Sequence, residues 1–558
     1  MNKDISFSQL NRNIFIDSAK NNYFDLLIIG GGITGAGIAL DATTRGLKTI
    51  LIEKQDFAEG TSSRSTKLVH GGLRYLQNYE FKLVREVGRE REIVYNNASH
   101  IVRPQKMMLP IIKNGSINRF LGFVGLTMYD YLAGVRKKER KKVLSKEETL
   151  KQEKLLNKDI LKSSILYYEY KTNDSRLTIE VLKKAFEYNA TLLNYVKAEN
   201  FIYKNNKITG VRAKDILTDN TFDISAKYIV NATGPWVDDL RKADKSINEH
   251  SIQLTKGIHL TVSRERFKIS NAIYFDNCDK RMIFVIPRDN SVYIGTTDTF
   301  YNDEKENPKI NISDINYLLD AVNKMFPLVK LTINDISSAW AGLRPLIKKQ
   351  GKKPSELSRK DEIFISPSGL ISIAGGKLTG YRLMAKKIVD KIFDYIQKDN
   401  DNKFVECKTK NLKLSGGEFN FDTHGFKLIE LAESKFYDAQ QLNLSVKDSD
   451  KLFFRYGTNY DKIIEKAYEL RSANETSNLW LKAELWYCIN YEMINNLSDF
   501  FIRRTGMIFF EYDNIKNLIN PTADYMQKIL GWDNKTKEKK ISDFKAKYLS
   551  VKNFFTKN

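Results

Sequence analysis

Three glycines and one acid offer the first chemistry in this chain. Gly30, Gly32 and Gly35 stand in the run Gly30-Gly31-Gly32-Ile33-Thr34-Gly35, and Glu53 closes the next apolar stretch. That is the GxGxxG spacing with an acid about 20 residues further on, the fingerprint of a dinucleotide site. Each position answers a physical demand. Gly30 permits the tight turn, Gly32 lets backbone amides approach a pyrophosphate, and Gly35 lets helix and strand pack closely. The helix N-terminus stabilises the negative charge, and Glu53 can accept hydrogen bonds from ribose hydroxyls. The spacing alone does not separate FAD from NAD.

The elements needed to position these residues are legible around them. Phe24 to Gly30 is a short, β-branched apolar run and predicts a buried parallel strand. Ile33 to Arg45 predicts a helix ended at Gly46, and Lys48 to Glu53 a second strand. This is a βαβ start, so a parallel sheet is expected. Ala226 to Asn231 predicts another buried strand, running into a turn at Ala232 to Trp236. Arg281 to Ile286 and Val292 to Gly295 alternate with the strand period and predict an antiparallel sheet. Ile371 to Ala374 is one more strand, followed by Gly375-Gly376 and a helix from about Thr379 to Gln397. Lys398 to Phe421 is polar and reads as a linker. Leu428 to Leu549 is helix-patterned, with Trp480, Trp486 and Tyr487 in one aromatic cluster.

Composition narrows the function classes. The 558 residues, 42% hydrophobic and 28% charged, suit two or three globular domains. No apolar run reaches the length of a membrane-spanning helix, and the first twenty residues lack the pattern of a secretory signal. Cys278, Cys407 and Cys488 form no CxxC, and the five histidines (70, 100, 250, 259 and 424) have no metal-ligand spacing. Disulfide scaffolds and metal sites are therefore not expected, and a reducing compartment fits. Net charge is +22. It points to an anionic partner such as a phosphorylated small molecule or a lipid surface, set against the plain alternative of a Lys-rich solvated surface.

A resemblance sharpens this reading. Thr61-Ser62-Ser63-Arg64-Ser65-Thr66-Lys67-Leu68-Val69-His70-Gly71-Gly72-Leu73-Arg74-Tyr75-Leu76 is very similar to the signature of FAD-dependent glycerol-3-phosphate dehydrogenases. The similarity continues, in the family's order, through Tyr79-Glu80-Phe81, Arg89 to Glu92, Asn231 to Val237, Lys256 to His259, Gly295 to Asp298, Gly342 to Leu346 and Gly375 to Arg382. Asp499 to Gly506 resembles the family's helical tail. The resemblance implies an α/β FAD-binding domain of the glutathione-reductase type, an inserted antiparallel β substrate domain and a C-terminal all-helical domain. Residues 1–240 and 360–398 are assigned to the first, 241–359 to the second, 399–421 to a linker and 422–558 to the third.

It also implies the reaction, oxidation of sn-glycerol 3-phosphate to dihydroxyacetone phosphate with hydride transfer to FAD. Thr61, Ser62, Ser63, Lys67, Leu68, Thr233, Gly234, Gly376, Lys377, Leu378 and Thr379 are expected around the cofactor, with Val196 as a backbone clamp near the adenine and His70 against the flavin. A phosphate dianion calls for the planar donors of arginine. Arg74 and Arg344 are expected on substrate, with Arg359 and Arg382 as weaker candidates and Thr379 beside them. A base titrating near neutrality suits the hydroxyl proton. His259 is favoured over His70, with Tyr75 placing the hydroxyl and Lys377 stabilising negative charge or binding substrate. The sequence departs from the family's pattern at Asn173, where an acid is usual.

Electrons must then leave the cofactor. Family members use a membrane quinone or, in some branches, oxygen. Phe120 to Val135 is apolar and runs into the basic stretch Arg136 to Lys142, which suits an interfacial anchor on anionic lipid at the cytoplasmic face; a core helix with a solvated loop is the plain alternative. A soluble oxidase producing hydrogen peroxide is the runner-up. An FAD amino-acid oxidase would not need Arg74 and Arg344, and no RNA-binding module is recognisable, so no nucleic-acid partner is expected. Capping the FAD domain and contact within a homodimer are the two roles left open for the C-terminal helices.

Overall fold

The structure is a computed structural model, and it describes residues 5–71, 81–116, 126–128, 139–247, 251–348, 360–399, 404–421 and 427–553. The strand Tyr23–Ile29 lies in the middle of the first sheet. It pairs in parallel with Thr49–Ile52 on one side and Thr221–Asn231 on the other. Leu370–Ala374 continues the parallel sheet beyond Thr221–Asn231, and Thr191–Leu193 continues it beyond Thr49–Ile52. Leu26, Leu27 and Ile28 are wholly buried because helices cover both faces, which is why the strand reads as an unbroken apolar run. The helix Ile33–Thr44 packs between Asp174–Glu187 and Tyr381–Asp399. Its small residues permit that closeness, and a Cβ on Gly37 would meet the Tyr381 ring at 2.8 Å.

The second sheet runs Thr299–Phe300, Ile252–Ser263, Ser291–Gly295, Met282–Arg288, Ala272–Asp276, Arg103–Ile112, Leu161–Lys171 and Leu68–Val69. Ile336–Ile347 pairs along Ile252–Ser263, and Lys142–Ser145 along Leu161–Lys171. The expectation that residues 1–240 belong wholly to the cofactor half is thereby corrected. Strands from residues 68 to 171 complete the substrate sheet: Leu68, Met107, Leu109 and Ile165 join Tyr274 and Ile286, and Met108 and Leu166 join Ile273, while Val69 and Tyr170 reach back to the βαβ core. Ile258, Leu260 and Val262 pack against Ile315, Leu318 and Val322 of the helix Ile312–Met325. Strand alternation then turns His259 to the opposite face.

The presumed linker is no free tether. Leu414, Ser415, Gly416 and Gly417 are buried, and the Leu414 and Gly417 amides donate to Asn97 O and Leu414 O. Beyond it lie the helices Lys427–Gln440, Val446–Tyr456, Tyr460–Ser472, Leu479–Tyr491, Tyr512–Leu530 and Asn534–Ser550. A π-helical turn at Asp499–Arg504 directs Arg503 and Arg504 into the cofactor domain. No helix among the described residues is long and apolar enough to cross a membrane.

Candidate active site

A cavity of ≈ 580 Å³ opens between the two sheets. The glycine-rich turn forms one end. Gly30 takes φ +114°, which a residue with a side chain rarely adopts, and Gly35 packs so closely that a Cβ would lie 1.9 Å from the Gly30 carbonyl oxygen. Gly35→Ala is therefore expected to yield protein without bound cofactor, checked by the absence of a visible flavin spectrum after purification. Ser62 Oγ accepts from the Ile33 amide at 2.9 Å and caps the helix start. Glu53 accepts from the amides of Gly31 (2.7 Å) and Gln55 (2.9 Å), which orients its carboxylate at the cavity wall. Burial raises that carboxyl above its ordinary value, against the pull of those two amides.

Val196 lines the same end and donates its amide to Glu53 O at 2.8 Å. Thr61, Leu68, His70, Thr233, Gly234, Gly376, Lys377, Leu378 and Thr379 also line the cavity. Thr61 Oγ1 donates to Leu343 O at 2.6 Å, a bond between the two sheets' domains. Thr379 Oγ1 receives the His70 amide and donates to the His70 carbonyl, both at 3.1 Å, so its hydroxyl fastens the His70 backbone.

Ser63 and Lys67 stand behind the wall rather than in it. Lys67 is buried and pairs with Asp174 at 2.6 Å, while its ammonium also donates to Ser63 O. Asp174 further accepts from the Ser65 amide and hydroxyl, so this acid ties the loop to the helix Asp174–Glu187. Asn173 caps that helix by accepting from the Arg176 amide, a role an acid would fill equally. Arg382, weighed as a phosphate ligand, is buried in an ion pair with Glu90 and is not in the cavity wall. Arg74, Tyr75, Arg359 and the apolar run Phe120 to Val135 with the start of its basic tail lie outside the described residues, apart from Leu126, Thr127 and Met128.

His259 and Arg344 meet the cavity from neighbouring strands. His259 is buried, stacked on Trp340 (centroids 4.8 Å, 10° apart), and its Nε2 lies 3.0 Å from Thr66 Oγ1. Burial pushes its pKa well below the ordinary value, and the charges of Arg344 and Lys67 push the same way. The ring is thus neutral at pH 7 and able to take a proton. Arg344 spreads over Gly257, where a Cβ would come within 2.2 Å of Nη2. It donates to Thr297 O (3.2 Å), Asp298 Oδ1 (3.2 Å) and Thr296 Oγ1 (2.9 Å), which fix the plane of the guanidinium.

Residues the sequence did not single out complete the wall. Glu306 accepts from Trp236 Nε1 (2.9 Å) and Lys54 Nζ (2.6 Å), while its backbone oxygen accepts from Arg64 (3.0 Å). These bonds latch the segment after Phe300 over the cofactor domain. Nothing in its polar sequence, Asn302 to Lys309, announces it. Among the described residues no group of His, Cys, Asp and Glu is arranged to hold a metal.

The turn without side chains, the capped helix start and the oriented Glu53 carboxylate fit a dinucleotide, and the cavity has room for an extended one. The sequence profile of FAD dependent oxidoreductases matches residues 25–382, so fold and site define an FAD-dependent oxidoreductase. That of the C-terminal domain of alpha-glycerophosphate oxidase matches residues 407–537. The chain is 47% identical over 535 residues to the aerobic glycerol-3-phosphate dehydrogenase of Bacillus subtilis (strain 168), covering 96% of each. It is 46% identical to that of Staphylococcus haemolyticus (strain JCSC1435), covering 95% of each. The crystal structure of glycerol-3-phosphate dehydrogenase from Bacillus halodurans complexed with FAD superposes with a TM-score of 0.84 at 39% identity, covering 99% of this chain and 100% of that one. The chain belongs to the aerobic glycerol-3-phosphate dehydrogenase family, and its cofactor is FAD.

Proposed function

We propose that this chain oxidises sn-glycerol 3-phosphate to dihydroxyacetone phosphate and passes the electrons to a membrane quinone while bound peripherally to anionic lipid at the inner face of the cell membrane. The observation that carries the reaction is the pairing of a neutral, buried His259 with a plane-fixed Arg344 in the wall that also holds the dinucleotide turn. FAD, when bound, supplies the two-electron acceptor for carbon 2 of the alcohol. Arg344, in the cavity wall, is proposed to bind the phosphate, with Arg74 as its partner. His259 takes the hydroxyl proton as carbon 2 becomes a ketone carbon. Tyr75 holds the hydroxyl in line, and Lys377, at the turn after Leu370–Ala374, offers a positive charge beside the cofactor. Trp340, stacked on His259, excludes water from one face of the imidazole and keeps it neutral.

The name of the matched C-terminal profile favours a second reading, an oxidase that delivers electrons to oxygen and yields hydrogen peroxide. One experiment separates the two. Anaerobic glycerol 3-phosphate should bleach the protein's absorbance near about 450 nm, a cofactor property, while glycerol and amino acids should not. Recovery that is fast with a quinone analogue and slow in air supports the dehydrogenase, whereas fast recovery in air supports the oxidase. An FAD-loaded protein that stays yellow with glycerol 3-phosphate would overturn the substrate.

A further inference from the structure

Among the described residues the C-terminal helical domain contributes no side chain to the cavity wall, yet two of its cations pair with a carboxylate there. Glu59 lines the cavity two positions before Thr61, and its side chain is 7% exposed. Three cations surround that carboxylate. Arg503 pairs with it directly, Lys547 Nζ lies 3.1 Å away, and Arg64 lies 3.5 Å away. Two of the three thus arrive from the C-terminal domain, one on the π-helical turn and one near the end of the helix Asn534–Ser550. The same turn holds the preceding residues of the loop. Arg503 Nε donates to Asp56 Oδ2 at 2.5 Å, and Arg504 donates to both Asp56 oxygens at 2.7 and 2.9 Å. Burial would raise Asp56, but Arg504 and Arg503 outweigh it and hold the carboxyl at about 2. Burial would likewise raise Glu59, and Arg503, Lys547 and Arg64 bring it below its ordinary value. Both acids are therefore charged, and at Glu59 that charge borders the space FAD fills.

FAD carries a doubly negative pyrophosphate, and reduction adds electrons to it. A carboxylate left uncompensated at the wall would oppose both binding and reduction, since opposite and like charges at such separations act through a low effective dielectric. We infer that Arg503 and Lys547 are positioning residues that neutralise Glu59, so that the C-terminal domain sets how tightly this chain holds FAD and how readily the bound FAD accepts electrons. The inference rests on FAD as the cofactor and is independent of the alcohol proposed as substrate. A wild-type protein that binds FAD but ignores glycerol 3-phosphate would leave it standing.

Lys547→Met is the first variant to make, because the Lys547 side chain is 34% exposed and its loss opens no buried cavity. FAD affinity, measured by fluorescence titration of the deflavinated full chain, should weaken about fivefold, the order expected for loss of one partly exposed, water-screened cation while Arg503 and Arg64 remain on Glu59. The midpoint potential of bound FAD should move to more negative values, with the thermal midpoint nearly unchanged. Glu59→Gln should move the potential the other way. In the double variant the two opposite changes of charge should offset, returning affinity and potential toward the wild-type values. A folded Lys547→Met protein with wild-type affinity and potential would overturn the inference. So would a Glu59→Gln protein whose potential does not move, or a double variant whose potential stays at the Lys547→Met value.

Discussion

Arg344→Met is expected to lower kcat/KM for sn-glycerol 3-phosphate by about 10³-fold. The reasoning is energetic. Removing one partner of a hydrogen-bonded charge pair away from bulk water costs about 2–5 kcal/mol, and each 1.4 kcal/mol is a factor of ten. Thr296, Thr297 and Asp298 already hold the guanidinium in one plane, so little ordering entropy is lost when a phosphate docks. Arg344→Lys keeps the charge and loses the fork, and should fall between the wild type and Arg344→Met. Steady-state kinetics with glycerol 3-phosphate and with glycerol tests this directly. Phosphate recognition by Arg344 would be refuted if both alcohols lost activity in the same proportion.

The second large effect belongs to His259→Gln, for which kcat should fall by about 10²- to 10⁴-fold, the usual span for a positioned base, with FAD still bound. Its pH signature follows from the direction of the shift. Because burial, Arg344 and Lys67 hold the folded-state pKa well below 6.5, the base stays deprotonated through neutral pH, and the acid limb of kcat/KM should lie below pH 6. The same depression has a cost for stability. The unfolded chain takes up the proton first, so folded stability diminishes as pH falls below 6.5. His100, wholly buried with neither ring nitrogen hydrogen-bonded, acts in the same direction. An acid limb centred at or above pH 7 in wild type, or a His259→Gln enzyme with an unchanged kcat, would remove His259 from the role.

The cofactor end of the molecule was legible because local rules fix it. A strand buried on both faces must be apolar, a pyrophosphate turn must lack side chains, and the acid must stand one strand away, so Tyr23–Ile29, Ile33–Thr44 and Thr49–Ile52 fall within a residue or two of the expected bounds. Partnerships across the chain were not legible. Ser62 reaches back to the Ile33 amide, and Lys67 reaches forward to Asp174, although both sit in one polar run that reads as cofactor-facing throughout. The strand Arg103–Ile112 was hidden for a different reason. Pro104 and Pro110 argue against a central strand. They are tolerated because its pairing with Ala272–Asp276 is confined to Met107 and Met108, which leaves one side of each proline free of ladder bonds. Missing that strand put the domain boundary at residue 240. Charge partners of the wall, Glu59 with Arg503 and Glu306 with Lys54, join residues hundreds of positions apart and carry no periodic signal.

The strand Tyr23–Ile29 lies between Thr49–Ile52 and Thr221–Asn231, and Leu370–Ala374 closes that parallel run. A nascent chain therefore carries its dinucleotide turn from the start but cannot complete the sheet beneath it until residue 374 has left the ribosome. At about 5–20 residues per second that wait is roughly 20–75 s. Until residue 231 emerges the open edge is that of Tyr23–Ile29, and from then until residue 374 it is that of Thr221–Asn231, each a template for pairing with other chains. Synthesis of this enzyme thus creates a period of chaperone dependence whose length is set by the order of strands in the sheet, and slower translation lengthens it.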